Sequence, residues 1–266
     1  MQPLLNIGVR AARRAADLIV RSLNRLDSLD VSSKGRNDFV TDVDRAAEAE
    51  IVATIRKSYP DHAFLCEESG ASGSGPVQWI VDPLDGTTNF LHGFPTFCIS
   101  IACRVRDRLE HAVIYDPMRQ EVFTASRGGG AHLENRRIRV SAQRTLEGAL
   151  IGTGFPYRAN TKYIDDYLAM LKVVMQATAG VRRPGSAALD LAYLAAGRTD
   201  GFWEIGLSEW DTAAGTLIVQ EAGGHVGTLT GSEYLQNGNI IAGNPRVYAA
   251  LVEALAPHVP ESLREA

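Results

Sequence analysis

Five acidic residues stand where carboxylates can do chemistry: Asp44, Glu67, Asp82, Asp85 and Asp211. Each sits at a strand end or a helix start. Two of them belong to the stretch Trp79-Ile80-Val81-Asp82-Pro83-Leu84-Asp85-Gly86-Thr87-Thr88-Asn89-Phe90. The apolar run 79–81 reads as a strand entering a core. Pro83 cannot extend a sheet ladder, so the strand is expected to stop there. Gly86 permits a tight or left-handed backbone. Two carboxylates on a stiff turn at the mouth of a buried strand can converge on one point, which suits a hard divalent cation. Asp, Pro and Gly also form ordinary turns, so this segment alone supports either reading. The pattern repeats at Phe64-Leu65-Cys66-Glu67-Glu68-Ser69-Gly70, where an apolar strand again ends on acids. Adjacent like charges repel unless a cation or solvent relieves them.

None of the six histidines joins these acids at metal-ligand spacing. An all-oxygen set suits Mg²⁺ or Mn²⁺ and not zinc. Several crowded carboxylates need more than one divalent ion to neutralise them. Two ions in an in-line displacement activate a water and stabilise a leaving oxygen, which is the arrangement for phosphate-ester hydrolysis. The D-x-D-x-[TV] phosphatases with an aspartyl nucleophile fit less well. Here a proline intervenes and the two aspartates are three apart. No covalent nucleophile stands out.

The elements that must position these acids alternate between helix and strand. Residues 3–27 carry Leu5, Val9, Ala12, Ala16, Ile19, Val20 and Leu23 at amphipathic spacing. A second helix starts near Thr41, with Ile51, Val52 and Ile55 on its apolar face and Pro60 past its end. Thr41 and Asp44 have capping-box spacing, so Asp44 reads as a cap or as a water-holding carboxylate. Lys34, in Lys34-Gly35-Arg36-Asn37-Asp38, reads as a phosphate screen or as a solvated loop charge. The Gly- and Ser-rich stretch 71–76 is expected to be a mobile loop. Residues 95–106, 109–116 and 120–126 read as successive strands, with Asp116 as a turn residue. Gly128-Gly129-Gly130 reads as a loop. A strand at 148–154 and a helix at 162–178 follow. Val181-Arg182-Arg183-Pro184-Gly185-Ser186-Ala187-Ala188 leads into a further helix through Ala196. Its small first residues leave amides open to an anion or a hydroxyl-rich ligand, unless Ser186 caps them. After a strand at 202–205, Trp210-Asp211-Thr212-Ala213-Ala214-Gly215 opens a helix over 211–222. Asp211 is an N-cap, a first-turn acid or a third metal carboxylate. A strand at 240–242 and a helix at 245–256 complete the chain.

At 266 residues, 45 % hydrophobic and 22 % charged, the chain can bury a sizeable core. A formal charge of −4 gives no global basic field, so direct DNA binding is not expected. No apolar run approaches the ~20 residues of a membrane span, and no signal-peptide core opens the chain. Cys66, Cys98 and Cys103 read as buried free thiols of a reducing cytoplasm. Cys98 and Cys103 should face opposite sides of one strand. No P-loop or dinucleotide fingerprint is present. Without a repeat or long linker, residues 1–266 read as one domain. Its metal-motif half runs to about 145 and its second half covers about 146–266.

Three stretches together resemble signatures of the inositol monophosphatase family: Glu67-Glu68-Ser69, the 79–90 segment and Trp210-Asp211-Thr212-Ala213-Ala214-Gly215. Leu5-Asn6-Ile7, Asn37-Asp38-Phe39-Val40-Thr41 and Gly185-Ser186-Ala187-Ala188-Leu189-Asp190-Leu191-Ala192-Tyr193 look closest to the bacterial branch called SuhB. The resemblance implies an α+β or α/β fold, a layered αβαβα sandwich shared with fructose-1,6-bisphosphatases. It implies a homodimer that hydrolyses myo-inositol monophosphates with two or three Mg²⁺ ions, Mn²⁺ substituting, and inhibition by lithium. By motif, Glu67, Asp82 and the Leu84 carbonyl would hold the first metal. Asp82, Asp85 and Asp211 would hold the second. A third, weaker Mg²⁺ would lie near Glu67. Thr87 and Asp44 would orient the attacking water, assisted by Glu67. The substrate side would take in Glu67, Leu84, Asp85, Gly86, Thr87, Gly185, Ser186, Ala187, Glu204 and Asp211. Relatives that cleave fructose 1,6-bisphosphate or 3′-phosphoadenosine 5′-phosphate share the metal motif. Members of the bacterial branch also associate with RNA polymerase and elongation factors in ribosomal RNA synthesis, for which Arg182-Arg183 is the basic group to test.

Overall fold

A computed structural model describes residues 2–28, 31–35 and 38–264. The side chain of Lys34, together with Arg36 and Asn37, lies outside the described residues. Helix α1 (Pro3–Ser22) buries Ile7, Ala11, Ala12, Ala15, Ala16 and Ile19, one stripe at helical spacing. The helix expected to reach residue 27 ends at Ser22 and continues as a 3₁₀ segment, Leu23–Ser28. The hairpin of β1 (Val31–Gly35) and β2 (Asp38–Thr41) leads into α2 (Asp42–Arg56), which Thr41 caps. Then come β3 (Ala63–Cys66), β4 (Gly70–Ser72), β5 (Val77–Asp85), the short α3 (Thr87–Leu91), β6 (Cys98–Val105), β7 (Arg108–Asp116), β8 (Glu121–Ser126), β9 (Gly130–Leu133) and β10 (Arg136–Arg137). They form one sheet in the order β10-β9-β8-β7-β6-β5-β3-β4, with only β3 and β5 parallel.

The second half carries β11 (Leu150–Thr153), α4 (Ile164–Ala177), β12 (Gly180–Arg182), α5 (Ala187–Ala195), β13 (Gly201–Glu204), α6 (Glu209–Glu221), β14 (His225–Gly227), β15 (Ile240–Gly243), α7 (Pro245–Leu255) and α8 (Glu261–Arg264). Its strands pair in the order β12-β11-β13-β15-β14.

Three cores separate five layers. Helices α1 and α2 cover one face of the larger sheet, packing on Phe64, Trp79, Val81, Ile99 and Cys103. The opposite face, with Ile80, Cys98, Ala102 and Ile114, meets α5 and α6, and these also meet Phe202, Ile240 and Ala242 of the smaller sheet. Beyond that sheet, Trp203 and Ile241 pack on Tyr167 and Met170 of α4 and Leu251 of α7. The order is αβαβα. Both sheets are covered on both faces, which is why their strands read as nearly continuous apolar runs. Cys98 and Cys103 do lie on opposite faces of β6, and all three cysteines are buried and free. Among the described residues no helix is long and apolar enough to cross a membrane.

Two further expectations fail. Residues 71–76 are not wholly loop, because Gly70–Ser72 pairs with β3. The strand does not stop at Pro83. It runs on to Asp85, with Asp82 opposite Ser100 and Asp85 opposite Cys98. Three steps on β5 face two on β6, so the strand carries a bulge there, where the proline's missing N–H is not needed.

Candidate active site

The bulge brings two acids to one face. Residues three apart on a regular strand point to opposite sides. The extra residue cancels that offset, so Asp82 and Asp85 both face the layer of α5 and α6. Asp211, in the first turn of α6, meets them. One oxygen from each of Asp82, Asp85 and Asp211 lies within 4.8 Å of the others. Burial, and then the charges of Glu67, Asp85 and Asp211, push the Asp82 carboxyl well above its usual range. Asp82 is 2 % exposed, and its Oδ1 accepts from Leu84 N at 2.9 Å. Helix α6 begins at Glu209, two residues earlier than expected, so Asp211 is not the N-cap; it accepts from Ser208 N at 2.6 Å. The Arg104–Glu209 pair and the bond from Ser100 Oγ to Trp210 O dock that helix end on β6.

Asp44 closes the capping box and also reaches the central turn. Its Oδ2 accepts from Thr41 N at 2.8 Å and Thr41 Oγ1 at 2.5 Å, closing the capping box. Its Oδ1 accepts from Thr87 Oγ1 at 3.0 Å, and the same hydroxyl lies 3.1 Å from Leu84 O. Burial raises the Asp44 carboxyl, against the hydrogen bonds from Thr41 and Thr87. Leu84 itself is buried, so it offers the site its backbone.

Ser186 does not cap α5 with its side chain. Asp85 takes that place from another layer: its Oδ2 accepts from Ser186 Oγ at 2.8 Å and from Ala188 N at 2.7 Å. The open helix start expected from small residues is thus partly filled by a protein carboxylate. Gly86 must be glycine, with φ +101°, because a Cβ there would lie 3.0 Å from Thr96 O and 3.3 Å from Gly185 O. Burial, with Asp85 nearby, also lifts the Cys98 thiol far out of the reactive range.

These groups open on a cleft of about 380 Å³. Glu67, Asp82, Leu84, Asp85, Gly86, Thr87 and Asp211 line one end, and Gly185, Ser186, Ala187 and Glu204 the other. Glu67 lies outside the tight trio but shares its cleft. Asp44 stands behind Thr87 and does not line the cleft.

Four further residues hold or line the site. Glu48, one turn after Asp44, accepts from Glu68 N at 2.8 Å and Ser69 N at 2.9 Å, fixing the turn that carries Glu67. Only the spacing of four from Asp44 hinted at it. Asn89 Nδ2 donates to Thr96 O at 2.7 Å and Pro184 O at 2.8 Å, tying the central turn to the α5 loop. Arg183 lies on the rim with its guanidinium 4.9 Å from the Phe155 ring centre and 5.1 Å from that of Tyr157. Asp190, in the first turn of α5, is buried in the cleft wall. Burial, then Glu204 and Asp85, push its carboxyl well above the usual range, against Arg183.

Known proteins share this architecture over their whole length. A model of the inositol monophosphatase family matches residues 1–262. A Pseudomonas aeruginosa protein named Nus factor SuhB is 58 % identical, covering 99 % of this chain and all of its own. The crystal structure of the extragenic suppressor protein SuhB from Bartonella henselae superposes with a TM-score of 0.94 at 46 % identity, over 97 % of this chain and 100 % of that one. An inositol monophosphatase structure from Anabaena gives 0.84 at 37 % identity, over 97 % of each chain. Acid trio, layer order and whole-length match agree: the chain belongs to the inositol monophosphatase family.

Proposed function

We propose that the chain is a Mg²⁺-dependent phosphomonoesterase that hydrolyses myo-inositol monophosphate to myo-inositol and phosphate. The observation that carries this reading is the convergence of Asp82, Asp85 and Asp211 at one end of a cleft whose other end presents Glu204. The donor set fits a hard divalent cation: three carboxylates, one fully buried, stand in mutual repulsion that such an ion removes. Asp82, Asp85, Asp211, Glu67 and the Leu84 carbonyl would hold Mg²⁺, or Mn²⁺ in its place. A bound cation supplies Lewis-acid polarisation of the phosphate ester and a more acidic water.

The chain's own groups supply the rest. Thr87 Oγ1, held by Asp44 Oδ1, orients the attacking water, and Asp44 accepts its proton through that hydroxyl. Glu67 assists from the turn that Glu48 fixes. The bond from water oxygen to phosphorus forms, the ester P–O bond breaks, and the leaving alkoxide takes a proton from solvent. Gly185, Ser186, Ala187 and Glu204 receive the ring, with Glu204 accepting its hydroxyls. The chain acts as one unit, since α5 and α6 serve both sheets. Its free thiols fit the cytoplasm.

Phosphate release from myo-inositol 1-phosphate, fructose 1,6-bisphosphate and 3′-phosphoadenosine 5′-phosphate, with and without Mg²⁺, tests the reading. Mg²⁺-dependent turnover fastest on the inositol ester is expected. Faster turnover of either other substrate overturns the substrate choice.

A second reading rests on the name Nus factor borne by the Pseudomonas relative: association with RNA polymerase and elongation factors. Arg182 is exposed on edge strand β12, whereas Arg183 is engaged with two rings. A pull-down with Arg182→Ala therefore tests the surface more cleanly than one with Arg183→Ala. Undiminished capture would exclude the Arg182 edge as the contact. The homodimer implied by the resemblance has a candidate face on α4, where Ile164, Leu168 and Met175 are 48, 51 and 62 % exposed along one stripe.

A further inference from the structure

We propose that Asp190 is a specificity-determining residue for this reaction, its carboxyl group taking a hydroxyl of the substrate polyol at the inner wall of the cleft, beside Glu204. The inference rests on the polyol phosphatase reading above and deepens it.

Asp190 is 3 % exposed and lines the cleft. Among the described residues no hydrogen bond or ion pair reaches its carboxyl group. Its backbone N–H is spent inside α5, on Ser186 O. A buried carboxyl left without donors is costly. It lines the cleft, so a ligand bound there can bring donors to it.

The floor beneath it is bare backbone. Gly152 and Gly154 lie two residues apart along the extended chain of β11 and its continuation, so both face the α5 layer. A Cβ on Gly152 would stand 3.8 Å from Asp190 Cγ and 3.2 Å from the Phe202 ring. A Cβ on Gly154 would overlap the Glu204 carboxylate. Gly152 pairs with Phe202 on β13, and Glu204 lies two residues further along that strand. Gly154 therefore clears space for the Glu204 carboxylate, and at Gly152 the bare backbone faces the Asp190 carboxyl at contact distance.

The chemistry of the pair narrows the ligand. Carboxyl oxygens accept from hydroxyls and offer no cation or anion-binding donor set to a phosphate. An ester whose phosphate sits at the acid trio presents its carbon skeleton to Asp190 and Glu204. Free hydroxyls are welcome there, and a second phosphate is not. Arg183, a cation at this end, is exposed on the rim with its guanidinium over Phe155 and Tyr157. The site thus favours a polyol monophosphate over a bisphosphate.

The test compares the Mg²⁺-loaded wild type with Asp190→Ala and Asp190→Asn on two esters. One is myo-inositol 1-phosphate. The other is phenyl phosphate, which has no hydroxyls, used as substrate or as competitive inhibitor. Asp190→Ala should lower kcat/KM for the inositol ester roughly tenfold, mainly through KM, and change the phenyl phosphate constant by less than about twofold. Asp190→Asn keeps an acceptor oxygen and should recover much of the loss, and it carries the comparison if the alanine variant melts below assay temperature. Equal loss on both esters, or none on the inositol ester, overturns the assignment of Asp190. A wild type inactive on the inositol ester overturns the substrate reading itself, and the inference with it.

Discussion

At Asp85 a single carboxylate faces two tasks, joining the acid trio and closing the start of α5. These tasks need different properties. Capping needs an acceptor oxygen, and the trio needs charge. Asp85→Asn keeps the first and removes the second. We expect phosphate release to fall more than ~100-fold, beyond the usual cost of losing a supporting group around a metal. The melting transition should shift little, by about 1 kcal/mol or less. Retained activity would remove Asp85 from the ligand set. The acids of the trio were legible because each follows an apolar run or stands in the first turn of a helix, and such positions are recognisable from residue type and order. Asp190 and Glu48 were not. Each sits on a helix among ordinary neighbours, and its role comes from what another layer places opposite it.

Among the elements, α2 braces the site at two points, through Asp44 on Thr87 and through Glu48 on the turn after β3. Glu48→Gln offers one acceptor and one amide group to two backbone N–H groups, so one of them loses its partner. The turn that carries Glu67 should loosen, raising the Mg²⁺ concentration for half-maximal binding about tenfold by calorimetry and costing about 1–3 kcal/mol of stability. Unchanged Mg²⁺ binding in a destabilised variant would make Glu48 a structural residue only. In the larger sheet β3 and β5 to β8 were readable because they are apolar runs, whereas β9 was hidden behind three glycines. β4, β10, β12 and β14 were not readable, being two or three residues each. Pro83 misled because the ladder rule holds for regular strands and a bulge suspends it.

For the whole molecule, the five layers follow from helix and strand faces that all seek cover, but the order of stacking came from family resemblance and not from periodicity. Among the described residues α4 carries three exposed large apolar side chains, Ile164, Leu168 and Met175, on its outward face. If that face pairs two copies, as the family resemblance implies, Leu168→Glu should lower the mass from dimer to monomer in light scattering while the core side of α4, with Tyr167, Met170 and Val174, stays intact. An unchanged mass would place the interface elsewhere or leave the chain monomeric. The trans-layer cap on α5 has one more consequence. A cation drawing on Asp85 competes with Ser186 and Ala188 for the same negative charge, so the two equilibria are linked. Reciprocity then obliges any polyol that orders the start of α5 to alter the affinity for the ion by the same factor. Cation and substrate should therefore bind non-additively, with one shared carboxylate as the thermodynamic hinge between the two halves of the chain.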